Sequence, residues 1–175
     1  MNITQLQLTF NPEQDRLLFR VNGSDQSEIR ACFTRRLVRQ LWPNLLQMLA
    51  HKIARDAPTA NDDARRMVLG MQHEASVGKA DFSQPYRAEA TQFPLGQVPF
   101  VASKLRMSVL PQGMYLLSMH PAQGQGVDLR LNDTLLHGLC RMLQKACKEA
   151  EWELLLEIPG SHSIGDADVQ TRMLN

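Results

Sequence analysis

From Ile29 to Ile53 an apolar side chain returns at every fourth position, through Phe33, Leu37, Leu41, Leu45 and Leu49. A segment patterned this way must bury one continuous stripe, and at about 3.6 residues per turn a core-facing helix does so. Val38, Trp42 and Leu46 widen the stripe. Asp25, with Glu28 three residues later, has the form of a capping box, which starts the helix directly after Gly23 and Ser24. Pro43 removes a backbone donor and restricts Trp42, so a kink or a break into two helices is expected there. Asp56, Ala57 and Pro58 end the run.

The flanking segments change period from four to two. Leu6, Leu8 and Phe10 alternate with Gln5, Gln7 and Thr9, and Leu17, Phe19 and Val21 alternate with Arg16, Leu18 and Arg20, on either side of the turn-forming stretch from Asn11 to Asp15. This is the pattern of a half-buried β-hairpin. A second helix begins at the acidic, cap-rich stretch from Thr59 to Asp63, carries Ala64, Met67, Val68, Met71 and Ala75 inward, and stops at Gly78. Gly70 stands against it. Farther on, Val101 to Val109, Met114 to Met119 and Val127 to Leu131 read as a three-strand meander, the first turn marked by Pro111 and Gly113. Asp133 caps a last helix with Leu136, Leu139, Leu143, Ala146 and Ala150 inward, and a final strand is expected from Trp152 to Ile158 before Pro159 and Gly160.

The order ββα(α)–arm–βββαβ predicts an α+β fold. It consists of an antiparallel sheet (hairpin plus three-strand meander plus C-terminal strand) with two to three helices packed on a face. The 175 residues suit one domain over 1–160 followed by a mobile polar tail over 161–175. A net charge of +1 excludes a strongly basic or acidic protein that would declare its partner by charge. The N-terminus has neither the cationic nor the apolar region of a signal peptide, and no apolar run approaches a bilayer span, so no membrane is expected. Three cysteines without a CxxC pair fit a reducing, cytoplasmic setting.

Two features bear on function. Residues 79–100 form an arm in which Pro85, Pro94 and Pro99 forbid regular structure, yet Phe82, Tyr86, Phe93 and Phe100 place four of the ten aromatics there. A disordered linker is aromatic-poor, so this arm should be ordered and extended, with its rings docked on the chain's own core or on a partner. The second feature is Arg35, Arg36 and Arg39, where guanidinium groups cluster on one helix and could meet phosphates. The competing account makes them the solvated face of that helix, or pairs them with Glu149, Glu151 and Glu153.

Catalysis and cofactors find no motif. His137 and Cys140 offer two metal ligands where zinc needs three or four, Ser161 and His162 lack the GxSxG turn, and no phosphate loop occurs. No catalytic residue, metal ligand or cofactor is assigned, and the reading leans away from an enzyme. The leading expectation is a non-catalytic interaction module. It self-associates as a homo-oligomer or docks a protein partner through the arm and a sheet edge. Nucleic-acid binding through the Arg-rich helix is the alternative, and a ligand or enzyme pocket assembled from scattered residues is third.

Overall fold

The computed structural model describes residues 2–79, 85–87 and 89–161. The architecture is α+β, with three helices and two sheets. Strands β1 (Ile3–Asn11), β2 (Arg16–Gly23) and β3 (Glu28–Phe33) come first, then helices α1 (Arg35–Asp56) and α2 (Asp62–Lys79). After the arm come the two-residue β4 (Phe100–Val101), the meander β5 (Lys104–Val109), β6 (Tyr115–His120) and β7 (Val127–Leu131), and helix α3 (Asp133–Glu149). The strands divide into two sheets rather than one. One has the order β1-β2-β3-β4, antiparallel except for the parallel pairing of β3 with β4, and the other is the antiparallel β5-β6-β7.

The hairpin closes with Asn11 opposite Arg16, and the Asn11 side chain accepts from the Gln14 N–H at 3.2 Å. On the inner face of the larger sheet, Leu17, Phe19 and Val21 of β2 lie opposite Phe33, Ala31 and Ile29 of β3, and all six are buried. The rings of Phe19 and Phe33 are 5.1 Å apart. They join one core with Leu37, Val38, Leu41 and Leu45 of α1, Tyr115, Leu117 and Met119 of β6, and Leu136, Leu139 and Leu143 of α3. Asp133, in the first turn of α3, accepts from the Tyr115 hydroxyl at 2.9 Å and pairs with Lys52 of α1. That carboxylate ties three elements together at the positive end of a helix dipole.

The structure corrects the start of the first helix. Glu28–Phe33 is a strand, and the helix begins only after Thr34, whose side chain accepts from the Leu37 N–H at 3.2 Å as the true N-cap. Asp25 instead accepts from the Ser27 N–H inside the β2–β3 turn. α1 then runs through Pro43 as one helix, which removes the expected break. Asn44 Nδ2 donates to the Gln40 carbonyl at 2.7 Å, one residue past the proline.

The C-terminal segment departs as well. Residues 152–158 keep the alternation of a strand, with Trp152 and Ile158 buried, but pair with no strand among the described residues. The segment is held by side chains instead. Trp152 Nε1 donates to Asp15 at 2.6 Å at the hairpin tip, and Gln144 Nε2 donates to the Leu156 carbonyl at 2.7 Å. Gly70, which stood against α2, has a packing reason: a Cβ there would run into the carbonyl of Gly160, where the chain crosses the helix.

Candidate interaction surface

The outer face of the larger sheet is polar. Gln5, Gln7 and Thr9 of β1 stand opposite Asn22, Arg20 and Leu18 of β2, which in turn face Glu28, Arg30 and Cys32 of β3. Two arginines directly opposite each other repel, so the face needs compensation. Glu28 supplies the charge: its carboxylate, 1% exposed, pairs with Arg30 and accepts from the Tyr86 hydroxyl at 2.9 Å. The arm supplies the cover. Arg20 lies 4.2 Å from the centroid of the Tyr86 ring, and Arg30 lies 4.7 Å from that of Phe93. Burial pushes the Tyr86 phenol well above its usual range, and the neighbouring Glu28 carboxylate pushes it further.

Backbone contacts fix the same arrangement. The Pro85 and Arg87 carbonyls accept from Gln5 and Asn22, the Glu28 N–H donates to the Gln92 carbonyl, and the Gln97 carbonyl accepts from Arg30. Phe100 opens β4 opposite Ala31. Tyr86, Phe93 and Phe100 are therefore all engaged on the chain's own sheet, and Phe82 lies outside the described residues. The arm covers the β3 edge of the larger sheet, not the meander.

The opposite edge is β1. Among the described residues β1 pairs only with β2, and its nine residues contain no charge and no proline, two of the devices that protect an edge; its register shifts between Ile3 and Gln5 and is regular from there to Asn11. A groove of about 1100 Å³ follows it, with Thr4 to Thr9 along one wall, Thr134, Leu135, Gly138, Arg141, Met142 and Lys145 of α3 along another, and Tyr86, Arg87 and Glu89 of the arm at the rim. The charged side chains on the groove are Arg87, Arg141 and Lys145 against Glu89. Sequence reasoning missed this wall, because it counted only the inward positions of α3.

Arg35, Arg36 and Arg39 are exposed in the first turns of α1, and none joins an ion pair among the described residues. The structure does not bring them to the arm's rings, which Arg20 and Arg30 already occupy. His137 does meet a further histidine. Its Nδ1 lies 3.1 Å from Nδ1 of His73 on α2, both rings buried. Burial pushes both imidazoles down, His73 to about 4 with His137 and Arg141 adding to the effect. The described residues hold no group of three or more metal-ligating side chains. Cys140 and Cys147 are buried thiols raised to about 12, the opposite of an activated nucleophile. No helix among the described residues is long and apolar enough to cross a membrane. No protein-family model, curated protein or solved structure matches this chain.

Proposed function

We propose that this chain is a non-catalytic interaction module whose docking surface is the free edge of β1 and the groove beside it. One observation carries the reading: an uncharged nine-residue edge strand, paired on one side only among the described residues, borders a groove large enough for a peptide. An extended segment laid there gains main-chain hydrogen bonds from β1 and places alternate side chains in the groove. The aromatic arm enters indirectly. It holds the sheet's outer face and forms the groove rim with Tyr86 and Arg87.

Panning a random peptide library on the immobilised chain tests this, with hydrogen exchange used to map the selected peptides. Selected peptides should slow exchange across Ile3–Asn11. Protection elsewhere, or no enrichment, refutes the reading.

A second reading, nucleic-acid binding through α1, is favoured by Arg35, Arg36 and Arg39 standing exposed, and without an ion pair among the described residues, at the positive end of that helix. Anisotropy of a labelled single-stranded oligonucleotide tests it. Binding should weaken with salt and with Arg35→Glu/Arg39→Glu, and no binding at low salt ends it.

A further inference from the structure

We infer that the occupant of the β1 groove is an extended peptide carrying two acidic residues spaced i,i+2. This rests on the docking surface proposed above. The groove's charge gives the sign: three cations, Arg87, Arg141 and Lys145, stand against one acid, Glu89. Neither Arg141 nor Lys145 has a hydrogen bond or ion pair among the described residues. Among the described residues, then, no side chain compensates their charge.

Spacing gives the pattern. Arg141 and Lys145 are four apart on α3, which separates their Cβ atoms by roughly 6 Å. Alternate residues on one face of a strand are about 7 Å apart, so two carboxylates at i and i+2 fall in register with the two cations. The two walls also match in length. Thr134 to Lys145 rises about 17 Å along a helix, and Thr4 to Thr9 spans about 17 Å along a strand. An occupant of five to seven residues, on the order of 17–24 Å when extended, fills that length. Leu6, Leu8, Leu135 and Met142 line the groove beside the two cations and pack the methylene stems of the acids, while the residues between the acids face the opposite side. The opposite charge pattern would set like charges against Arg141 and Lys145, which such interfaces avoid.

Three fluorescein-labelled heptapeptides test the inference by anisotropy against the full chain. Each has glycine ends and three valines alternating with two glutamates, two glutamines or two lysines. The glutamate probe should bind about tenfold more tightly than the glutamine probe at low salt and lose that margin as salt rises. Arg141→Glu/Lys145→Glu should transfer the preference to the lysine probe, and Arg141→Gln/Lys145→Gln, which adds no repulsion, should erase the preference. Equal binding of the glutamate and glutamine probes would overturn the acidic occupant while leaving edge docking intact. Failure of all three would overturn both. If light scattering then shows a dimer broken by proline substitution within β1, the groove belongs to a second copy of the chain.

Discussion

His73 and His137 meet nitrogen to nitrogen inside the protein, and two imidazolium ions cannot occupy that position together. Around them stand Glu74 and Arg141 for His73, and Asp133 and Lys52 for His137. The folded chain holds His73 neutral down to about pH 4, whereas an unfolded chain takes up the proton near 6.5. Stability is therefore complete above the ordinary histidine range and drains away as pH falls from about 6.5 toward 4. Urea denaturation at pH 7.5, 5.5 and 4.5 should show a loss on the order of 2 kcal/mol across that window. His73→Gln should flatten the dependence, and an unchanged slope would refute the assignment. Tyr86 offers a cleaner probe of the sheet face. Tyr86→Phe keeps the ring over Arg20 and removes only the hydroxyl, whose proton lies between two acceptors, Asn22 Oδ1 at 2.7 Å and Glu28 at 2.9 Å. Leaving a buried carboxylate short of a donor costs roughly 1–3 kcal/mol, readable as a lower denaturation midpoint.

Between elements, the crossing of α2 by the C-terminal segment makes the sharpest prediction. Gly70→Ala improves helix propensity by about 1 kcal/mol, yet its Cβ meets the backbone of Gly160, which has no flexible end to yield. The clash should win, with a net destabilisation of roughly 1–3 kcal/mol in urea unfolding, and a stabilised variant would contradict the packing. The same segments show what was legible from residue order. The hairpin, the meander, α2 and α3 follow from their periods, because alternation and an i,i+3,i+4,i+7 stripe are distinguishable once both are present. Ile29 and Phe33 are four apart, and four satisfies a helical turn and a strand's even period equally. The discriminating neighbours, Val38 and Trp42, begin only beyond Thr34. Pattern alone could not place the boundary, whereas a cap at Thr34 could. Asp25 and Glu28 misled for a related reason: the carboxylate expected to cap a helix serves a turn, and the other is buried beneath Tyr86. The rings of the arm were visible as an anomaly of composition. Their targets were not, since Arg20 and Arg30 become neighbours only through the register of β2 with β3. The groove escaped because its walls come from residues more than a hundred positions apart.

Two sheets drawing on one core should unfold together. Trp42 sits in α1 and Trp152 in the C-terminal segment, both buried, so tryptophan fluorescence reports on two separate segments of the chain. Its denaturation curve should coincide with that of far-ultraviolet circular dichroism, and separated midpoints would show that the sheets come apart independently. The arm is a different matter, since it is attached largely through polar contacts and two ring-on-guanidinium pairs. Few buried apolar contacts make a segment open at low free energy. Here the positions of the thiols acquire an experimental use. Cys32 is buried on β3, in register with Val101 where β4 continues from the arm, while Cys140 and Cys147 are sealed within α3. The protein thus carries two chronometers: alkylation of Cys32 should time the peeling of the arm, and alkylation of the other two should time the opening of the core. If peeling is the easier excursion, mass spectrometry should find a singly modified species at Cys32 long before a triply modified one.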